Sequence, residues 1–149
     1  MRERGLVCAT EEILGLLDGS LKTVLRPFKC ANHNWEIEGY VSSSTNKTHK
    51  HGTVMFLDGC ETHYRMPSLG APGDRLWVKE SYTYLGSDRV YKADGELYFH
   101  GKPNRKIWYS PGRMLRCESR ITTEIVKFTA ENINGVWMEK YYVEVVKCI

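Results

Sequence analysis

Apolar and polar positions alternate most sharply in Asp74-Arg75-Leu76-Trp77-Val78-Lys79-Glu80-Ser81-Tyr82. Leu76, Val78, Glu80 and Tyr82 fall on one face there, and Trp77, Lys79 and Ser81 on the other. Comparable stretches rich in β-branched and aromatic residues recur at Thr53 to Leu57, Leu76 to Tyr84, Arg89 to Lys92, Glu96 to His100, Ile121 to Phe128 and Val136 to Val146. Turn dipeptides and tripeptides separate them: Asp58-Gly59, Pro72-Gly73-Asp74, Asp94-Gly95, Pro111-Gly112 and Asn134-Gly135. Many short strands at such spacing predict a barrel or sandwich.

The beginning of the chain reads differently. Leu6, Val7 and Cys8 suit a strand, and Glu11 to Asp18 a short helix with Thr10 as N-cap, acids in its first turn and Gly19 as its stop. Lys22 to Phe28 continues as an extended segment ending at Pro27, and Trp35 to Val41 reads as another strand. The polar run from Ser42 to Thr48 marks an exposed insertion over about 42–52. The expected fold is α+β: a small, mostly antiparallel β-barrel with a short N-terminal helix, one domain spanning 1–149.

Composition fits that size. The 149 residues are 42% hydrophobic and 26% charged, ordinary globular usage, enough for a single core. No window reaches the roughly 18 apolar residues of a membrane span, and the acids near the start interrupt any signal-peptide core, so a cytoplasmic location and no membrane partner are expected. Five cysteines, an odd set, suit reduced thiols in a cytoplasm. Asn46-Lys47-Thr48 is read as a chance match to a glycosylation acceptor.

The net charge of +3 says little, but its distribution says more. Between Lys102 and Arg120 lie Lys102, Arg105, Lys106, Arg113, Arg116 and Arg120 against Glu118 alone, a local anion-attracting patch. The same charges would also suit a solvated loop. Glu80 shares its face with core aliphatics and so must be paired or neutral, held by Lys22 or an arginine, as a site residue or as a structural ion pair.

Gly70-Ala71-Pro72-Gly73-Asp74-Arg75-Leu76-Trp77-Val78-Lys79-Glu80 resembles the GxPGDxLWVxE signature of ASCH-like proteins of the PUA-like superfamily, common in bacteriophages and prophages. Ile13 to Gly19 with Lys22, Thr23 and Arg26 resembles the family's ILDGxKTxTRR segment, and Arg113-Met114 through Ser119-Arg120-Ile121-Thr122 its MPRWxSRIT segment. The three occur in the family's order over about residues 11 to 125. The resemblance implies a PUA-like barrel with a cleft where the lysine-threonine segment meets the glutamate strand, and binding of RNA or modified nucleotides.

Lys22, Thr23, Arg26, Trp77, Lys79, Arg113, Arg116 and Arg120 are thereby the candidate residues for RNA, single-stranded nucleic acid or a nucleotide, through guanidinium forks and base stacking. One branch of the family hydrolyses N4-acetylcytidine with a lysine, a threonine and a glutamate. An amidohydrolase reading would use Lys22 as base with Glu80 or Glu131 assisting, but Leu25 stands where the branch has its threonine and offers no nucleophile. A third reading is a phage accessory protein that binds a bacterial host protein or a nucleotide signal.

Two C-x2-H pairs, Cys30 with His33 and Cys60 with His63, offer the ligand types of a tetrahedral structural zinc site that would staple the insertion to the barrel, with His49 and His51 between them. The ASCH resemblance implies no metal, and no other cofactor is expected.

Overall fold

The computed structural model describes residues 3–41, 52–95, 98–99, 102–103 and 108–148. Residues 42–51 of the polar insertion expected over about 42–52, His49 and His51 among them, lie outside the described residues, as do Arg105, Lys106 and parts of the strand expected at Glu96 to His100.

Among the described residues the chain is mostly β with one α-helix. In order, the elements are β1 (Glu3–Val7), α1 (Thr10–Asp18), β2 (Thr23–Pro27), β3 (Glu36–Tyr40), β4 (Val54–Asp58), β5 (Glu61–Arg65), β6 (Arg75–Lys79), β7 (Tyr82–Leu85), β8 (Asp88–Tyr91), β9 (Tyr98–Phe99), β10 (Lys102–Pro103), β11 (Ile121–Ile133) and β12 (Val136–Cys148). Single 3-10 turns lie at Lys92–Asp94, Pro111–Arg113 and Arg116–Glu118. A five-stranded sheet has the order β1-β6-β11-β12-β2, and β3-β4-β5, β7-β8 and β9-β10 form smaller sheets. These pairings do not close into a barrel among the described residues. Most are antiparallel, but β1 runs parallel to β6, with Glu3 opposite Arg75 and Gly5 opposite Trp77.

Among the described residues no helix is long and apolar enough to cross a membrane. The helix is as short as the sequence suggests, but its N-cap is Ala9, not Thr10. Ala9 has no side-chain acceptor to offer; instead the Glu12 carboxylate accepts the Ala9 backbone N–H at 3.1 Å, which satisfies one of the donors a helix start leaves open. Ile13 and Leu16 are buried, and Gly19 ends the helix at φ 79°.

The chain divides into two compact units. One, here called the aromatic unit, comprises Thr23–Asp74 and Glu124–Glu144. Its core sets Val54, Phe56, Ala130 and Trp137 against Phe28, Trp35, Ile37 and Phe128. The β4 alternation buries Val54 and Phe56, and β5 returns through the Asp58-Gly59 turn with Asp58 opposite Glu61. The β11–β12 hairpin turns on Asn134 and Gly135, both at positive φ (51° and 82°), as a two-residue Asn-Gly hairpin turn requires. A buried carboxylate, Glu139, accepts hydrogen bonds from the Ser68 N–H at 2.9 Å, the Ser68 hydroxyl at 2.7 Å and the Tyr141 hydroxyl.

The second unit, here the basic unit, comprises Glu3–Lys22, Arg75–Thr123 and the chain from Val145. Leu6, Cys8, Ile13, Leu16, Leu76, Val78, Tyr82, Met114 and Ile121 are its buried apolar residues, joined by the carboxylates Glu80 and Glu118. The single strand expected from Leu76 to Tyr84 is two strands, β6 and β7, which pair with different partners.

Candidate functional site

The alternation of β6 divides its side chains as the sequence predicts. Leu76, Val78 and, one residue beyond the strand, Glu80 are buried, while Arg75, Trp77 and Lys79 are half-buried on the opposite face. Glu80 is 1% exposed, and an unpaired carboxylate there would cost several kcal/mol. Arg120 supplies the partner: its Nε donates to Glu80 Oε2 and its Nη2 to Oε1, both at 3.0 Å. The third arm, Nη1, donates to Asp94 at 2.9 Å, and the guanidinium carbon lies 4.1 Å from the Tyr91 ring centroid. Burial pushes the Glu80 carboxyl above its ordinary range against the pull of Arg120. For Arg120, burial works against the charge, and the bonds to Glu80 and Asp94 outweigh it, so the guanidinium holds its proton more firmly than usual.

On the other face of the strand, the basic unit forms a pocket of about 290 Å³. Arg75 and Trp77 come to it from β6, Glu3 from β1, Thr122 from β11, Lys147 from β12, and Arg116, Ser119 and Arg120 from the segment before β11. Among the described residues, four cationic side chains and one carboxylate line it. That carboxylate, Glu3, is ion-paired with Arg116, whose side chain remains 65% exposed. The Ser119 hydroxyl donates to the Val78 carbonyl at 2.7 Å, which ties the arginine-bearing segment to β6. Gly5 explains where Trp77 lies. A Cβ on Gly5 would come within 2.9 Å of Trp77 Cζ2 and 2.7 Å of Lys79 Cε, so the indole and the lysine stem occupy space that any other residue would fill. Lys79 Nζ sits 5.1 Å from the Trp77 ring centroid, a cation–π pair at the pocket wall.

A second array of the basic unit is built around Glu118. The Tyr84 hydroxyl donates to one of its oxygens and the Leu115 N–H to the other at 2.8 Å, while the Tyr91 hydroxyl donates to its backbone carbonyl at 2.9 Å. Burial pushes the Glu118 carboxyl up, but the donors outweigh it and hold the group below its usual range. Burial and the Glu118 charge push the Tyr82 hydroxyl up. Arg113 lies 4.4 Å from the Tyr109 ring and Arg89 5.8 Å from Tyr84.

Of the residues expected to bind nucleic acid, Trp77, Arg116 and Arg120 share the pocket, with Lys79 on the Trp77 ring. Arg113 belongs to the tyrosine array. Lys22 is exposed beyond α1 and does not line the pocket. Thr23 and Arg26 stand on β2 in the aromatic unit, where Arg26 Nη1 donates to the Leu25 carbonyl at 2.7 Å. Glu131, the other glutamate of the hydrolase reading, is bonded to Lys140 at 3.1 Å. Arg75, Glu3, Ser119, Thr122 and Lys147 are pocket residues that sequence reasoning did not reach. Arg75 was within reach, since the alternation that places Trp77 and Lys79 on one face extends back to it. Glu3 arrives through the pairing of β1 with the distant β6, and Lys147 from the far end of the long strand β12.

The zinc ligand set expected at Cys30, His33, Cys60 and His63 is not brought together. Among the described residues the metal-type ligand atoms that approach within 4.8 Å as a trio belong to Asp58, Glu61 and His63. Cys30 and Cys60 are exposed. Cys30 sits at φ 58° with its carbonyl accepting from Arg65 Nε at 3.1 Å, and the His33 carbonyl accepts from Asn132. His63 is stacked on Trp35, with ring centroids 4.3 Å apart and planes 3° from parallel, which holds its imidazole over that ring. Asp58, Glu61 and His63 are donors of a type that can hold a cation, but such exposed acidic groups are common without one.

Comparison of the chain with family models, with curated proteins and with solved structures finds no match.

Proposed function

We propose that the chain is an ASCH-type, PUA-like module that binds RNA, single-stranded nucleic acid or a nucleotide through the pocket of its basic unit. The observation that carries this reading is the convergence of Arg75, Arg116, Arg120 and Lys147 beside Trp77 in one cleft. Guanidinium groups match phosphate oxygens in pairs, and an indole offers a base a surface of the same kind. The ASCH assignment draws support from a separate feature. Glu80 ends the Gly70 to Glu80 signature and Arg120 belongs to the Ser119-Arg120-Ile121-Thr122 segment, so two of the three resembling segments meet in one buried ion pair.

Binding is preferred to hydrolysis because both Glu80 oxygens are engaged by Arg120 and the hydroxyl expected near Lys22 is replaced by Leu25. Anisotropy titration of a short labelled single-stranded RNA tests the reading. Affinity is expected to fall as salt rises from 50 to 200 mM, and Arg75→Ala or Lys147→Ala each to make that dependence shallower. An affinity that stays flat across that range would overturn it.

A further inference from the structure

We infer that the pocket is built for the terminal phosphomonoester of a nucleotide, either free or at the end of a strand, and that this group displaces Glu3 from Arg116. The inference rests on the proposed nucleotide reading and names the ligand group within it. Size comes first: about 290 Å³ lies near the low end of small-ligand clefts and suits one nucleotide unit, not a run of chain.

Charge then selects the group. The pocket already contains an anion of its own, the Glu3 carboxylate, which is placed opposite Arg75 by the β1–β6 register and ion-paired with Arg116. Any ligand anion competes with it. A phosphodiester carries one negative charge over two free oxygens and merely matches the carboxylate. A phosphomonoester carries roughly −1.5 to −2 with three acceptor oxygens, and so outcompetes it. Arg120 is committed to Glu80 and Asp94, so Arg116, once released from Glu3, and Lys147 are the groups that meet the phosphate, in a pocket that Arg75 also lines. Arg116 is within reach of a ligand from solvent, because its side chain is largely exposed. Thr122 lines the same pocket, a residue type whose hydroxyl can donate or accept beside the charge. Glu3 thus acts as an internal competitor that tolerates strand ends and excludes strand interiors.

The test is calorimetric titration of the full chain with the four nucleoside 5′-monophosphates, the four nucleosides, and four-residue RNA oligomers bearing either a 5′-phosphate or a 5′-hydroxyl. Thermal melting verifies that each variant is folded. The expected result is about a ten-fold or larger advantage of phosphorylated over hydroxyl probes, since charge-assisted bonds to a phosphate are the strong ones. Arg116→Ala should reduce that advantage to about two-fold, and Glu3→Gln should raise affinity for the 5′-hydroxyl oligomer about five-fold by removing the competitor. An advantage seen with oligomers alone identifies a strand end as the source, and one seen equally with mononucleotides identifies the free nucleotide. Oligomers that bind equally with and without the terminal phosphate overturn this inference and leave the binding function standing. A failure of every probe to bind overturns both.

Discussion

In the aromatic unit Phe56 meets Phe28, Trp35 and Trp137 at ring-centroid separations of 5.4, 5.7 and 5.0 Å. In the basic unit the buried polar centres are Glu80, gripped by Arg120, and Glu118, gripped by Tyr84 and Leu115. The buried carboxylates differ in the kind of partner they take: Glu118, like Glu139 of the aromatic unit, is held by neutral donors, and Glu80 by a cation. Glu139 of the aromatic unit is satisfied by Ser68 and Tyr141, which are neutral donors, and burial together with that bond pushes the Tyr141 hydroxyl well above its usual range. Glu80 is satisfied by a guanidinium. Neutral donors settle a buried anion without adding charge to the surroundings, whereas a cation introduced for one carboxylate also brings its field to whatever lies beside it. Arg120 lines the pocket while it holds Glu80, so the ionic core and the ligand site of the basic unit are made partly of the same residue.

The largest effects separate the two kinds of core. Phe56→Ala should cost about 3–5 kcal/mol in urea denaturation through the cavity it leaves. Arg120→Ala should cost about as much, roughly 3–5 kcal/mol, by stranding Glu80. The distinction lies in rescue. Replacing Glu80 and Arg120 together with methionine should recover most of the loss, because an apolar pair needs no counter-charge. If the double variant is no better than Arg120→Ala, the comparison between the cores is wrong.

A smaller effect is expected in the pH dependence of stability, with opposite signs at the two acids of the basic unit. Glu118 sits below its ordinary 4.5, so its contribution is present above that pH and is lost as pH falls through the lower folded value. Glu118→Gln should therefore flatten the acid limb of a denaturation series. Glu80 sits above 4.5, so the folded state holds the proton longer and stability declines as pH rises from 4.5 through its folded value. Glu80→Gln should remove that decline. Equal slopes in both variants and the parent would contradict the assignment.

The pattern along the chain revealed more of the fold than of the site. The Asn134-Gly135 turn, the Gly19 stop and the faces of β6 follow from local chemistry and are all legible. The break between β6 and β7 is not, because the burial alternation runs through it: Leu76, Val78, Glu80 and Tyr82 are all buried. What changes is the partner. Ser81 accepts a bond from the Lys92 N–H, and Tyr82 exchanges bonds with Tyr109, and such a change leaves no mark on sequence periodicity. β5 was missed because Glu61-Thr62-His63-Tyr64-Arg65 is polar, as befits a strand at the edge of its sheet. At the site, Trp77, Arg116 and Arg120 were readable from residue type and local charge. Glu3 and Lys147 were not, since their place depends on which strands pair.

The smallest effect concerns a cation that does not line the pocket. Arg65 lies 5.2 Å from the Trp35 ring, on which His63 is also stacked. Arg65→Ala should lower stability by about 1 kcal/mol, read as a modest fall in melting temperature. It should leave nucleotide affinity unchanged. A loss of affinity would show that the positive charges of the two units are not separable in function.

Gly5 has a consequence for how the pocket can be altered. The indole of Trp77 rests where a side chain at position 5 would stand. The wall of the cleft is therefore adjustable from behind, by a methyl group placed on the neighbouring strand, which would press on the Trp77 ring and the Lys79 stem together. The bare hydrogen at Gly5 is what leaves room for both the indole and the lysine stem, so one position on β1 sets where an aromatic surface and a charge stand at the wall of the cleft.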